Sequence, residues 1–167
     1  MISRCARWLA LCQSVLLVAA CSFVTPETGF RDEAVPLGAT SRFDALAFSG
    51  EWLLVASFDA REMAPLVVTP AAEVAHLRIT SNEVPEVAGL YREGVPGELI
   101  PVSGEGDTLV VMWVDESFQS AAIGTSSGSF GAVLNRAPEI PSDRARAARD
   151  VFAFYGWDVS RLKRTIQ

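Results

Sequence analysis

Gly124-Thr125-Ser126-Ser127-Gly128 has the form Gly-x-Ser-x-Gly. In that pattern a serine hydroxyl is raised on a sharp strand-to-helix turn to attack an acyl carbon. Such a serine needs a base, and the chain has one histidine, His76. His76 stands on the polar side of an alternating run, and a strand rather than a helix follows the turn. The pentapeptide therefore reads as a β-turn and His76 as a surface residue. Asp115 and Glu116 are the other candidates for proton transfer, but adjacent residues on extended chain face opposite ways. They read as turn-forming, solvated groups. Arg161, Lys163 and Arg164 form a small basic cluster near the end of the chain; it reads as a solvated tail, with lipid headgroups as the alternative contact. Nothing here calls for a cofactor or a metal, and no catalytic set is assembled.

The first 21 residues carry more information. Arg4 and Arg7 make a positive start, Trp8 to Val18 an apolar run broken by Gln13 and Ser14, and Val18-Ala19-Ala20 a small-residue exit before Cys21. Charged end, apolar run and small exit are the layout of an export signal, and the run is short for a spanning helix, which needs about 20 apolar residues. A cysteine after the small residues resembles a lipobox. That resemblance implies that residues 1–20 are a lipoprotein signal peptide and that Cys21 becomes the lipid anchor. Cys5 and Cys12 then leave with the signal. No disulfide and no free thiol remain, which suits an oxidising periplasm, and a cysteine-built zinc site is excluded.

The chain has 167 residues, half of them hydrophobic, and a net charge of −6. Without Arg4 and Arg7, 12 basic residues face 20 acidic ones. An acidic chain without a basic patch makes a poor nucleic-acid ligand, because phosphate contacts require Lys and Arg. Membrane attachment would rest on the lipid at Cys21, not on charge.

Residues 22–42 hold prolines, glycines and threonines with no period, so 21–42 reads as the lipidated cysteine and a flexible tether. About 20 such residues reach roughly 25 Å. From 50 onward the signal is strands: Glu51 to Phe58, Val74 to Thr80, Val87 to Tyr91, Leu99 to Val102, Thr108 to Val114, Gln119 to Thr125 and Phe130 to Asn135. Runs this short at near-even spacing, punctuated by turns, predict a sandwich or an up-and-down barrel. Pro138 and Pro141 then break the chain. Ser142 reads as an N-cap, and 143–155 as a helix whose stripe is Ala145, Ala148, Val151, Phe152 and Tyr155. Gly156 reads as its stop, and Trp157-Asp158-Val159 as a short return strand.

These pieces resemble the lipocalins, specifically the bacterial outer-membrane lipocalin lipoproteins. Phe48-Ser49-Gly50-Glu51-Trp52 is similar to the family's Gly-x-Trp motif on the first strand, entered through Phe43-Asp44. Asp115-Glu116-Ser117-Phe118 is similar to its acidic-aromatic turn. Phe130 to Pro138 resembles its last strand with an arginine, and Gly156 to Leu162 its tail. The match covers 43–59 and about 108–164; 60–107 matches poorly. The resemblance implies an all-β fold with one C-terminal helix. Residues 43–167 would form an up-and-down antiparallel barrel of seven or eight strands, reduced in the middle, with the helix packed outside. It further implies that Gly50, Trp52 and Arg136 close the barrel, the guanidinium lying across the indole.

A lipocalin cavity is lined by inward residues that alternate along each strand. On the first strand Leu54, Ala56 and Phe58 share the parity of Trp52; on the second Ala75, Leu77 and Ile79 share a face; on the last Phe130, Ala132 and Leu134 share the parity of Arg136. On the strong run both faces are apolar, so Met112 and Trp113 compete for the inward side, and Met112 is taken as lining. The expected function is a lipid-anchored carrier at the periplasmic face of the outer membrane. It would bind a small hydrophobic ligand such as a fatty acid, lysophospholipid or other membrane lipid. The competing expectations are a filled, non-binding barrel serving an envelope complex and a lipid-modifying enzyme of the same fold. Oligomeric state is left open.

Overall fold

The computed structural model describes residues 29–72 and 75–165. The export-signal and lipid-anchor readings, residues 1–20 and Cys21, lie outside these residues. Among the described residues no helix is long and apolar enough to cross a membrane.

A short helix α1 (Ala45–Phe48) leads into eight strands: β1 (Gly50–Ser57), β2 (Ala64–Pro70), β3 (His76–Thr80), β4 (Gly89–Glu93), β5 (Glu98–Pro101), β6 (Leu109–Val114), β7 (Ser120–Thr125) and β8 (Gly131–Asn135). Helix α2 (Ser142–Phe154) and a two-residue strand β9 (Lys163–Arg164) follow. Each strand pairs antiparallel with the next, and β8 returns to β1, which also pairs with β2. The sheet is thus a closed up-and-down barrel without free edges, apart from β9 extending one side of β1.

The middle of the barrel is complete. The strand missing from the sequence reading is β2, and it is bracketed by Pro65 and Pro70, which cannot donate to a ladder. Its alternation is nevertheless regular. Ala64, Leu66 and Val68 are buried, and Pro65 is exposed opposite Leu53.

Two layers of core result. Inside the barrel Trp52, Leu54, Leu66, Leu77, Leu99 and Leu134 are among the buried cluster. Outside it Val55, Phe58, Met112, Val133, Phe152 and Trp157 form a second cluster beneath α2. This second layer explains why β1 and β6 read as continuously apolar. Both of their faces are covered.

Helix α2 starts one residue earlier than expected. Pro141 occupies the N-cap position without a side-chain cap, and Ser142 is already helical. Gly156 takes φ +79° and ends it. Trp157 forms a single antiparallel bridge with Arg31, while the returning strand is Lys163–Arg164 against Ala56–Ser57.

Residues 29–42, expected as flexible tether, are instead a strap laid over the outer wall. The Phe30 N–H donates to Gly128 O at 2.8 Å, Asp32 N–H to Gly156 O at 2.9 Å, and Thr40 N–H to Val111 O at 2.8 Å. The Arg31 guanidinium donates to Ser126 O at 2.8 Å and also to Val35 O. Phe30, Leu37 and Ala39 pack on the outer cluster. The strap binds because it hides apolar surface and satisfies its own backbone, which a periodless sequence does not advertise.

Candidate functional site

The barrel has one end closed by sequence-specific packing. Asp44 caps α1 by accepting the Ala47 N–H at 2.9 Å. The turn of α1 then sets Phe48 against Trp52, ring centroids 5.0 Å apart, with Phe43 5.3 Å beyond Phe48. The Trp52 indole N–H donates to Phe48 O at 2.8 Å. Arg136, at the end of β8, lies over the Trp52 ring with its guanidinium carbon 3.6 Å from the centroid. Its N–H groups reach Glu51 O at 2.7 Å, Ser49 O at 2.9 Å, Ala47 O at 3.1 Å, Phe118 O at 3.2 Å and Phe48 O at 3.3 Å. Burial holds the Arg136 pKa below its ordinary value without neutralising it. Gly50 has φ +108°, and a Cβ there would stand 3.0 Å from an Arg136 nitrogen, so glycine both makes the turn and lets the arginine pass. Gly50, Trp52 and Arg136 therefore form one physical unit.

The turn between β6 and β7 completes this end. The Asp115 carboxylate accepts N–H groups of Gln119 and Ser120, both at 2.6 Å, and the Ser117 hydroxyl at 2.6 Å. Burial opposes its charge, but these bonds outweigh burial and hold its pKa below 3.8. A depressed folded-state pKa stabilises the fold above the unfolded value of about 3.9 and loses that contribution as pH falls through the folded value. Thermal stability should thus decline below about pH 4. Asp115→Asn should be less stable at pH 7 by about 1–2 kcal/mol and have a flatter acid limb. Melting curves from pH 7 to pH 2 check this, and parallel acid limbs for the two proteins would refute it.

The opposite end is stoppered by a loop. Between β3 and β4 the chain makes a 3₁₀ turn (Pro85–Val87), and Val84 and Val87 are fully buried over the barrel mouth. Arg61, from the β1–β2 loop, ties this stopper down. Its guanidinium ion-pairs with Asp59 and Glu86, reaches Glu83 O at 3.4 Å, and sits 5.5 Å from the centroid of Phe130. Burial opposes the Asp59 charge, but hydrogen bonds from Arg61 and Ser57 and the Arg61 charge together hold its pKa below the ordinary value, and the bond to Asp59 raises the Arg61 pKa.

Between these ends the interior is filled with side chains. Leu54, Leu66, Leu77, Ile79, Leu109 and Ile123 are each no more than 1% exposed. A void large enough for water would leave its lining exposed, so these side chains are packed against one another.

Of the residues expected to line a cavity, Leu54, Leu77, Ile79, Phe130, Ala132 and Leu134 lie in this interior cluster. Four do not. A bulge between Leu54 and Ala56 puts two residues where one belongs, so Ala56 and Phe58 pack in the outer layer while Ser57 takes a buried ladder position. A second bulge between Val111 and Trp113 leaves Val111 and Val114 in the interior and places both Met112 and Trp113 outside. Ala75 precedes β3 in a turn, with φ +60°, and is exposed. The interior also takes Ala64, Leu66 and Val68 from the unrecognised β2, and Val84, Val87 and Tyr91 from the loop and strand that follow β3. Alternation in Ala64-Pro65-Leu66-Val67-Val68 was the available signal for the first three.

The serine and acid candidates have structural partners. Ser126 lies in the β7–β8 turn, its hydroxyl bonded to the Asp107 carboxylate, and β8 rather than a helix follows. His76 begins β3 at the far end of the barrel. Among the described residues no group of three or more His, Cys, Asp and Glu side chains could hold a metal ion. Asp115 and Glu116 each pair with an arginine, Arg144 at 3.3 Å and Arg42 at 3.5 Å.

Two solved structures share this architecture. The siderocalin Ex-FABP, described as functioning through dual ligand specificities, superposes with a TM-score of 0.56 at 12% identity, over 72% of this chain and 95% of its own. Lobster apocrustacyanin A1 superposes with a TM-score of 0.56 at 14% identity, over 80% of this chain and 90% of its own. At such identities the likeness establishes a lipocalin-like fold. No protein-family model and no curated protein matches the chain.

Proposed function

We propose that this protein is a lipid-anchored envelope carrier that takes one slender hydrophobic ligand, a fatty acid, lysophospholipid or other membrane lipid, into its barrel. The observation that carries the reading is the contrast between the two ends. One end is fixed by Trp52, Arg136 and the aromatic stack. The other is closed by a loop held by two valines, a partly exposed ion cluster and hydrogen bonds at Ser81 and Val87. Burying a valine contributes roughly 1.5–3 kcal/mol, and surface ion pairs about 0–1 kcal/mol each. Lifting residues 81–88 thus costs about 3–8 kcal/mol, which leaves an open form below about 1%. The ligand would replace Val84 and Val87 above an apolar interior. The anchor at Cys21 and a position at the periplasmic face of the outer membrane belong to the same proposal and rest on residues 1–21.

The packed interior favours a second reading, a solid barrel that serves an envelope complex without binding anything. Mass spectrometry of lipids co-purifying with the protein under native conditions separates the two. A stoichiometric acyl lipid, together with Arg61→Ala taking up a fluorescent fatty acid about tenfold faster than wild type as the clasp is lost, supports the carrier. No bound lipid, and no uptake by either protein, leaves the solid barrel.

A further inference from the structure

We infer that the protein has a second amphiphile site outside the barrel, a groove between α2 and the β1–β8 wall that takes a single acyl chain bearing a carboxylate head. The groove has a volume of about 340 Å³, at the lower end of the roughly 300–1,000 Å³ typical of small-ligand sites. Its apolar lining comes from Val55, Ala56, Val133, Ile140 and Leu162, and Ala145 presents α2 there as a bare methyl. Charge appears through two guanidinium groups, Arg149 of α2 and Arg164 of β9. Both are exposed, and neither ion-pairs with a carboxylate among the described residues, although Arg149 donates to Val159 O at 2.8 Å.

The local chemistry runs against the rest of the molecule. Acidic residues dominate the chain, 20 against 14, yet both charged side chains lining this apolar trough are cationic and leave most of their donors unused. An acyl chain would cover the trough, and a carboxylate would complete the arginines through charge-assisted hydrogen bonds. The β1 bulge builds the floor, since it turns both Val55 and Ala56 outward. Residues of β1, α2 and β9 meet here only after the C-terminal tail has paired with the first strand.

The site is independent of the barrel interior, so it can stand if the carrier reading falls. The test is photolabelling of the full-length chain with a diazirine-bearing palmitate, followed by peptide mapping. The expected adducts lie on the segment 140–149 and on Leu162, are competed by unlabelled palmitate, and fall about tenfold in Arg149→Gln/Arg164→Gln. Labelling by the corresponding alcohol should change little in that variant, and Ala145→Phe should block both probes. Adducts confined to interior strands such as β2 and β5 would overturn this site while leaving the carrier. Absence of competed adducts would overturn the groove site, while the co-purifying lipid decides the carrier separately. Cross-linking of 22–28 into the groove would also overturn it, by showing that the chain's own N-terminal segment occupies the trough.

Discussion

Replacement of Arg136 by methionine is expected to lower stability by about 3–4 kcal/mol, the largest loss for any single side chain outside the apolar core. Hydrogen bonds to a charged group contribute about 1.5–3 kcal/mol each, and a desolvated cation over tryptophan about 2 kcal/mol or more. The sum is not realised in full, because Arg136 is only half-buried and water can reach some of the carbonyls it leaves. What water cannot replace is the cross-link. One guanidinium joins α1, the start of β1, the turn at Phe118 and the end of β8. For a domain of this size the loss corresponds to about 10–15 °C in Tm. Arg136→Lys keeps the charge but not the planar fork, and should recover less than half. A melting shift under about 3 °C in the methionine variant would mean that Trp52 and its aromatic neighbours close the barrel by packing alone.

The second large effect is centred on Trp157. Its ring is wedged beneath α2 against Phe58 and Phe152, at centroid distances of 4.9 and 5.2 Å. It rests directly on two glycines. A Cβ at Gly124 or Gly131 would come within 2.4 Å of the indole. Trp157→Ala should cost about 3–5 kcal/mol, and Gly124→Ala about 1–3 kcal/mol by overpacking. The two should be strongly coupled. In the Trp157→Ala background the methyl at 124 meets the space the ring has left, so the added cost of Gly124→Ala should fall by at least about 1 kcal/mol. Denaturant melts of the four proteins in this cycle measure the coupling, and strict additivity would show that the ring shifts away at no cost.

The sequence was most legible where a residue type has few alternative uses. Gly50, Trp52 and Arg136 could be joined through the resemblance because a positive φ, a buried indole and a forked cation each exclude most substitutes. Strand rhythm left a sandwich or an up-and-down barrel open, the resemblance selected the lipocalin-like barrel, and one amphipathic stripe marked its outer helix. What stayed hidden was parity. A bulge is a backbone event without a required residue, so Trp-Leu-Leu-Val-Ala-Ser-Phe does not reveal that Ala56 and Phe58 have changed sides. Strands covered on both faces lose the polar alternation that would mark the slip, and Met112 and Trp113 fail for the same reason. Pro65 and Pro70 concealed β2. The strap of residues 29–42 has no period to read, because its order comes from partners far along the chain, Val111, Ser126, Gly128 and Gly156 among them.

That strap bridges Arg31 to Trp157, and β9 pairs with β1, so the two ends of the described chain are fastened to each other as well as to the barrel. Closure of the barrel has to wait for Trp157 and for Lys163–Arg164. A chain emerging from the ribosome can form the β2-to-β7 hairpins, but neither β1 nor the strap has its full set of partners until the last dozen residues are available. Contacts this distant in sequence make for slow folding, because loop closure is costly before any contact repays it. Slowness would serve the export proposed above from residues 1–21. An unfinished barrel stays threadable, and the fold locks only once residues 156–165 have found their partners.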